Sequence, residues 1–352
     1  MVLMASLLRF GIIGCGEIAA QTCQGISSAP NTAIAMLMDT RPEVLSDLAE
    51  FYHVPTTTDV DALLANPEVD AVYIATPHYL HAPLGIKAAE AGKHVLVEKP
   101  IATTLADADA LIAACEKHNV KLGVAFYAQV DAAMAAARDL VRAGVLGKIT
   151  FVRLSSLSRK PDTYWHGGYT GRVYTDWRTR KAQAGGGVLI MNVIHDLNTV
   201  RWVTGLEVVR VYSEMDTLAT PVEVEDTIGV VMRYDNGAIG VVQAGSAMPG
   251  GAHQDAPGPR IYGTKGQLIL ASKPLIYLTE PLEGGVPNTW QELRFSGPIA
   301  DRQQIVSRFA AAVLEGKEPP VTGYDGRKAL EIVLAAYRSG ESKQPVDLPL
   351  RA

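Results

Sequence analysis

The feature that most constrains this chain is a strand, a glycine turn, a helix and a second strand ending in an acidic residue, all within about forty residues. The stretch Ile12-Ile13-Gly14-Cys15-Gly16-Glu17-Ile18-Ala19 has the form G-x-G-x-x-A. It follows an apolar run at 9–13 and opens a helical pattern near Ile18, the context that form requires. Gly14 permits the tight turn, and Gly16 lets the backbone approach a pyrophosphate. The phosphates would then sit on the free amides and positive end of the helix beginning near Ile18. Asp39 lies 25 positions after Gly14, close to the roughly 20 at which a carboxylate holds a ribose 2'-hydroxyl. The expectation is a nicotinamide dinucleotide, with NAD favoured over NADP because Asp39 would repel a 2'-phosphate. Arg41 qualifies that preference, since a nearby Arg can accommodate the phosphate.

Short apolar runs at 9–13, 33–38, 71–75, 94–97 and 121–125 alternate with helical patterns at 42–51, 83–91 and 105–117. That alternation predicts a doubly wound parallel sheet, a Rossmann domain over residues 1–125. Beyond an amphipathic stretch at 131–143 the pattern changes to one long helix near 187–204 and then to two-residue alternation through about 295. Asp235-Asn236-Gly237 sits between two strand-like runs and predicts a hairpin. Helical patterns at 303–314 and 326–337 close the chain, and the Gly- and Pro-rich stretch 245–259 reads as a loop. The expected class is α/β, with residues 126–352 forming an α+β domain around a large, mostly antiparallel open sheet. Its last helices could pack back on the first domain.

A chain of 352 residues suits two cores at a prior of roughly 150 residues each. No apolar run reaches the roughly 18 residues of a membrane span, so no membrane is expected. The start of the chain has one basic residue up to Arg9 and lacks the features of a signal peptide, and the expected location is cytoplasmic. Three cysteines without C-x-x-C spacing argue against disulfides and structural zinc, and no metal site is expected. A net charge of -5 without a basic run argues against nucleic acid as a partner.

Further stretches resemble the Gfo/Idh/MocA family of sugar and cyclitol oxidoreductases. Thr76-Pro77-His78-Tyr79-Leu80-His81 is similar to the family's T-P-x-x-x-H motif, and Glu98-Lys99-Pro100 to its E-K-P. Gly185-Gly186-Gly187 through His195 resembles the G-G-G-x-x-x-D-x-x-x-H helix. Stretches 143–149 and 261–266 also look like family elements. The resemblance implies a sugar, sugar derivative or cyclitol as substrate, and a homodimer or homotetramer built on the sheet's open face.

Moving a hydride from a hydroxyl carbon to nicotinamide needs a base and a cation at the reacting oxygen. Lys99 and His195 are the catalytic candidates, with Glu98 beside Lys99 holding its charge and position. Lys99 could orient the hydroxyl and stabilise an alkoxide; His195 has a pKa suited to neutral proton transfer. Thr76, Pro77, His78, His81, Glu98 and Lys99 join Gly14, Gly16, Glu17, Ile18 and Asp39 as cofactor candidates. Lys99, Tyr169, Trp177, Arg178, Asn192 and His195 are the substrate candidates, and Pro100 is a candidate cis proline.

Two departures stand out. Met191 occupies the position of the family's Asp, four residues before the His, where an Asp would share its helix face. Phe126-Tyr127-Ala128-Gln129 replaces an Asn-Arg-like pair. Two alternatives stand beside the dehydrogenase: the resemblance implies an NAD-dependent glycosidase using transient oxidation, and Met191 points to a non-catalytic NAD-binding regulator.

Overall fold

A computed structural model describes residues 7–250, 258–280, 282 and 284–350. The chain divides into two compact units, each discontinuous in sequence. The first comprises Met1–Val130, Pro161–Gly185 and Ala300–Arg327; the second comprises Asp131–Lys160, Gly186–Ile299 and Lys328–Ala352. Where the sequence suggested one cut after residue 125, the first unit thus recovers two later segments.

The first unit holds a six-stranded sheet of β1 (Leu8–Ile13), β2 (Thr32–Met38), β3 (Thr56–Thr57), β4 (Ala71–Ile74), β5 (His94–Val97) and β6 (Leu122–Val124). The order is β3-β2-β1-β4-β5-β6 and every pairing is parallel, as expected. Both faces are covered, so the strands read as continuous apolar runs. Phe10, Ile12, Leu37, Tyr73 and Leu96 meet Cys23 and Ile26 of α1 (Ala19–Ser28) in one core. Each such side chain contributes about 1.5–3 kcal/mol on burial.

The helix expected at 42–51 is a 3-10 turn at Pro42–Val44 followed by α2 (Ser46–Tyr52). α3 (Val60–Ala65) and the two-residue β3 were not anticipated, being too short to show a period. α4 (His81–Glu90) starts two residues before Pro83, which the first turn tolerates because its amides need no helical partner. α5 (Leu105–Lys117) matches its expected bounds, with the Thr104 hydroxyl accepting from the Asp107 amide at 3.1 Å.

The second unit is built on α6 (Ala132–Arg142) and a nine-stranded sheet. Its strands are β7 (Ile149–Leu157), β8 (Val208–Asp216), β9 (Thr227–Tyr234), β10 (Ile239–Gly245), β11 (Arg260–Gly263), β12 (Gly266–Ile269), β13 (Leu275–Leu278), β14 (Trp290–Glu292) and β15 (Val346–Asp347). The order is β14-β13-β12-β11-β7-β10-β9-β8-β15, antiparallel throughout except for β10 against β7. In β9, buried Ile228, Val230, Met232 and Tyr234 alternate with exposed Gly229, Val231 and Arg233, the signature of a sheet with one solvated face. The predicted hairpin joins β9 to β10, with Gly237 at φ +87°. The expected loop at 245–259 begins at the last residue of β10 and lies partly outside the described residues.

Two short helices, α7 (Asp162–Gly167) and α8 (Lys181–Ala184), lie in the first unit's middle segment. The helix expected near 187–204 starts as a π turn at Leu189–Val193 and continues as α9 (Ile194–Thr204). α10 (Arg302–Leu314) and α11 (Gly323–Ser342) complete the chain, α11 being longer at both ends than its apolar periodicity suggested.

Candidate active site

In the first unit, Gly14 adopts φ +94°, and a Cβ there would stand 2.9 Å from the Ala75 backbone. Only glycine fits the turn. The buried Asp39 carboxylate accepts from the Cys15 amide at 2.8 Å and from the Arg41 amide at 3.0 Å, with Arg41 Nε at 3.8 Å. The carboxylate at the end of β2 is thereby fastened to the glycine turn. Ile18 caps α1 without a side-chain hydrogen bond. Among the described residues, the amides of Gly16, Glu17 and Ile18 meet no protein acceptor. The nearest atom to a Cβ on Gly16 would be Val173 Cγ2, at 3.9 Å. The buried Thr76 hydroxyl also has no partner. Free helix amides, an approachable glycine, an orphaned hydroxyl and a strand-end carboxylate together fit a dinucleotide.

The Pro161–Gly185 segment belongs to the same unit and engages this turn. Glu17, expected as a cofactor contact, receives the Tyr169 and Thr170 amides at 2.8 and 3.1 Å and the Thr170 hydroxyl. Its side chain holds the protein's own loop. Arg172 donates from Nε to the Cys15 carbonyl at 3.0 Å and from Nη2 to the Val44 carbonyl at 2.6 Å, while its Nη1 pairs with Asp47 at 2.5 Å. Arg41 donates to the Tyr174 carbonyl at 3.3 Å. The Arg178 guanidinium lies over the Trp177 ring at 4.5 Å and the Tyr164 ring at 5.2 Å, and burial lowers its pKa. Trp177 in turn packs on His78 at 4.5 Å, and Tyr169 lies mostly exposed against Tyr164.

The T-P-x-x-x-H and E-K-P stretches form one scaffold. His81 places Nδ1 2.6 Å from the Pro100 carbonyl and Nε2 2.9 Å from the Thr76 carbonyl, so it ties the two loops together. His78 Nδ1 sits 2.8 Å from the Ala184 carbonyl. Burial lowers the pKa of both histidines. Pro77 leads into the 3-10 turn His78–Leu80. Lys99 is half-buried and precedes a cis Pro100.

Glu98, expected beside Lys99 as its charge partner, turns its carboxylate to residues the sequence did not single out. It accepts from the Tyr73 hydroxyl at 2.8 Å and from Arg302. Burial pushes Glu98 up, but the charge of Arg302, then that of Lys99 and the Tyr73 hydrogen bond, hold it below the usual carboxylate range. The one signal that could have exposed Arg302 is its place in the first turn of a helix, where the helix dipole disfavours a cation.

In the second unit, Gly186 and Gly187 are required by packing. A Cβ on Gly186, at φ +154°, would fall 2.4 Å from carbons of the Tyr337 ring; one on Gly187 would fall 1.9 Å from the Glu225 carbonyl oxygen. The Glu225 carboxylate accepts from the Gly187 amide at 2.5 Å, the Leu189 amide at 2.9 Å and the Tyr337 hydroxyl at 2.8 Å. It satisfies the start of the helix that carries Asn192 and His195, both half-buried. The π turn closes i→i+5, so the spacing between Met191 and His195 is not that of a regular α-helix. Beside His195, burial pushes Asp196 up to about 7.

Among the described residues, no group of His, Cys, Asp and Glu could hold a metal ion, and no helix is long and apolar enough to cross a membrane. Residues 8–126 match the oxidoreductase family with the NAD-binding Rossmann fold, and residues 134–269 match the GFO/IDH/MocA C-terminal domain. The chain is similar to 1,5-anhydro-D-fructose reductase of Ensifer adhaerens, 28% identical over 97% of this chain and 98% of the relative. It is 27% identical to myo-inositol 2-dehydrogenase of Thermotoga maritima, over 97% and 98%. The solved structure of aldose-aldose oxidoreductase from Caulobacter crescentus, complexed with glycerol, is 29% identical with a TM-score of 0.83, covering 97% of this chain and all of that one. This chain belongs to the Gfo/Idh/MocA family of NAD-binding oxidoreductases.

Proposed function

We propose that this oxidoreductase moves a hydride between nicotinamide and a hydroxyl carbon of a sugar, sugar derivative or cyclitol, with Lys99 and His195 serving the reacting hydroxyl. The observation that carries this reading is the Lys99 loop. It follows a buried strand of a doubly wound sheet, on the side where such folds bind ligands, and His81 and Glu98 anchor it on either side of Lys99. A loop fixed in that way holds its ammonium in place for an oxyanion.

NAD, when bound, supplies the hydride acceptor. The free amides of Gly16, Glu17 and Ile18 would take its pyrophosphate, Asp39 a ribose hydroxyl, and the Thr76 hydroxyl one of its polar groups. Asp39 favours NAD over NADP by repelling a 2'-phosphate. Lys99 orients the substrate hydroxyl and stabilises the alkoxide, and His195 accepts the proton. Tyr169, Trp177, Arg178 and Asn192 are assigned to substrate. The relatives named above support the sugar and cyclitol class. Tyr212 and Val231, exposed neighbours across β8 and β9, support a homo-oligomer assembled on the open sheet face. We assign the protein to the cytoplasm.

The test is NAD reduction across a panel of polyols, hexoses, uronates and inositols, with Lys99→Met lowering kcat by about 10²–10⁴-fold. NAD binding without turnover on any member overturns the dehydrogenase reading. Release of an aglycone without net NADH would instead identify transient oxidation.

A further inference from the structure

We propose that Arg302 is a positioning residue for Lys99: by sharing the Glu98 carboxylate it sets how firmly the Lys99 ammonium holds its proton. The inference rests on the reading of Lys99 given above.

Arg302 stands in an ill-suited place for a cation. Asp301 caps α10, accepting from the Gln304 amide at 2.7 Å, so Arg302 occupies the first helical position, against the helix dipole. Its side chain is only 12% exposed. The helix is seated firmly in the first unit. A Cβ on Gly25 of α1 would stand 2.8 Å from Arg302 Cβ. Gln303 donates to the Ser28 carbonyl at 3.0 Å, and Asn31 and Ser307 exchange two hydrogen bonds at 2.9 Å. Phe309 packs on Phe10 of β1. The guanidinium is therefore delivered to Glu98 by a docked helix.

There, Arg302 Nη1 donates to both Glu98 and the Tyr73 hydroxyl, and its Cζ lies 5.6 Å from the Tyr127 ring centroid. Among the described residues its buried Nε has no hydrogen-bond partner. A buried ion pair with an orphaned donor is poor value for stability, since well-packed apolar residues often do as well. The arrangement does have an electrostatic result. Glu98 feels the charge of both Arg302, which contacts it, and Lys99, its neighbour in the chain, and His78 and His81 feel that of Lys99. Arg302, a like charge beside the same carboxylate, offsets part of the stabilisation that Glu98 alone would give the Lys99 ammonium. A lysine less tightly bound to its proton is better matched to proton movement near neutral pH.

The test follows Lys99 directly in the full-length protein, by the pH dependence of acetic anhydride labelling at that residue read by mass spectrometry. Arg302→Gln releases Glu98 to Lys99, and Lys99 should titrate at a pH higher by about 1 to 3. Glu98→Gln leaves Arg302 uncompensated and should move it the opposite way. The double variant should return Lys99 close to wild type, and Arg302→Lys should resemble wild type. Should Arg302→Gln fail to fold, Glu98→Gln and the double variant still read the effect. Equal titration in all variants, or shifts of one sign in both single variants, overturns the proposal. Turnover retained in Lys99→Met, with the opposed shifts present, overturns the assigned role of Lys99 while leaving this electrostatic coupling standing.

Discussion

The chain opens helices with glycine-rich turns in two places, and the two differ in what fills the space left by the missing side chains. At Gly14–Gly16 the turn is tight on one side, yet among the described residues nothing stands closer to the Gly16 Cβ position than 3.9 Å and the first helix amides lack protein acceptors. At Gly186–Gly187 the Tyr337 ring and the Glu225 carbonyl fill that space, and the Glu225 carboxylate takes the amides. Glycine ahead of a helix thus marks close approach, and only the occupant tells whether the approach is by a ligand or by the protein itself.

Substitutions can break this contrast. Gly187→Ala has the largest expected effect, because its methyl would overlap a backbone oxygen that cannot rotate away; we expect no folded protein by circular dichroism. The helix beyond that turn offers the next test. Asp196 moves from 3.8 to about 7 on folding. Between those pH values the folded state keeps a proton the unfolded state gives up, so stability falls as pH rises from about 4 to 7. Asp196→Asn should therefore stabilise the protein by up to about 4 kcal/mol at pH 8 and not at pH 3, measured by urea unfolding. An equal gain at both pH values would point to packing as the cause. Gly16→Ala should leave Tm unchanged but weaken NAD binding at least tenfold by calorimetry, about 1.4 kcal/mol. A large fall in Tm would make this turn like the other. Tyr337→Phe removes the hydroxyl that bonds Glu225 and the Ile190 amide, and should cost about 1 kcal/mol of stability without altering NAD affinity.

What the sequence made legible follows the same division between local and distant causes. Five of the six parallel strands were readable because each is a largely apolar run between helical patterns, whereas β3 is only Thr56–Thr57. The glycine turn and Asp39 belong to one strand-helix-strand unit with a fixed spacing. The partners of Glu98 were not readable: Tyr73 lies 25 residues away and Arg302 lies 204. Glu225, which serves a helix start more than thirty residues earlier in the chain, matches no short capping pattern. The π turn before His195 was equally hidden, since apolar residues on such a turn look like those of an ordinary helix. Glu17 was read as a cofactor contact beside the glycine turn, and its attachment to residues 169–170 depends on a segment with no periodicity of its own.

The discontinuity of the first unit bears on how such a protein can be taken apart or recombined. A fragment ending at Val130 would keep all six strands of the sheet, yet it would lose Arg302 from beneath Glu98 and Arg172 from the Cys15 carbonyl and Asp47. It would carry a buried carboxylate stripped of its arginine and an exposed apolar face where α10 had packed. Exchange of cofactor domains between such enzymes would thus have to carry three stretches of chain together, so that recombination at a single crossover is penalised by the fold itself.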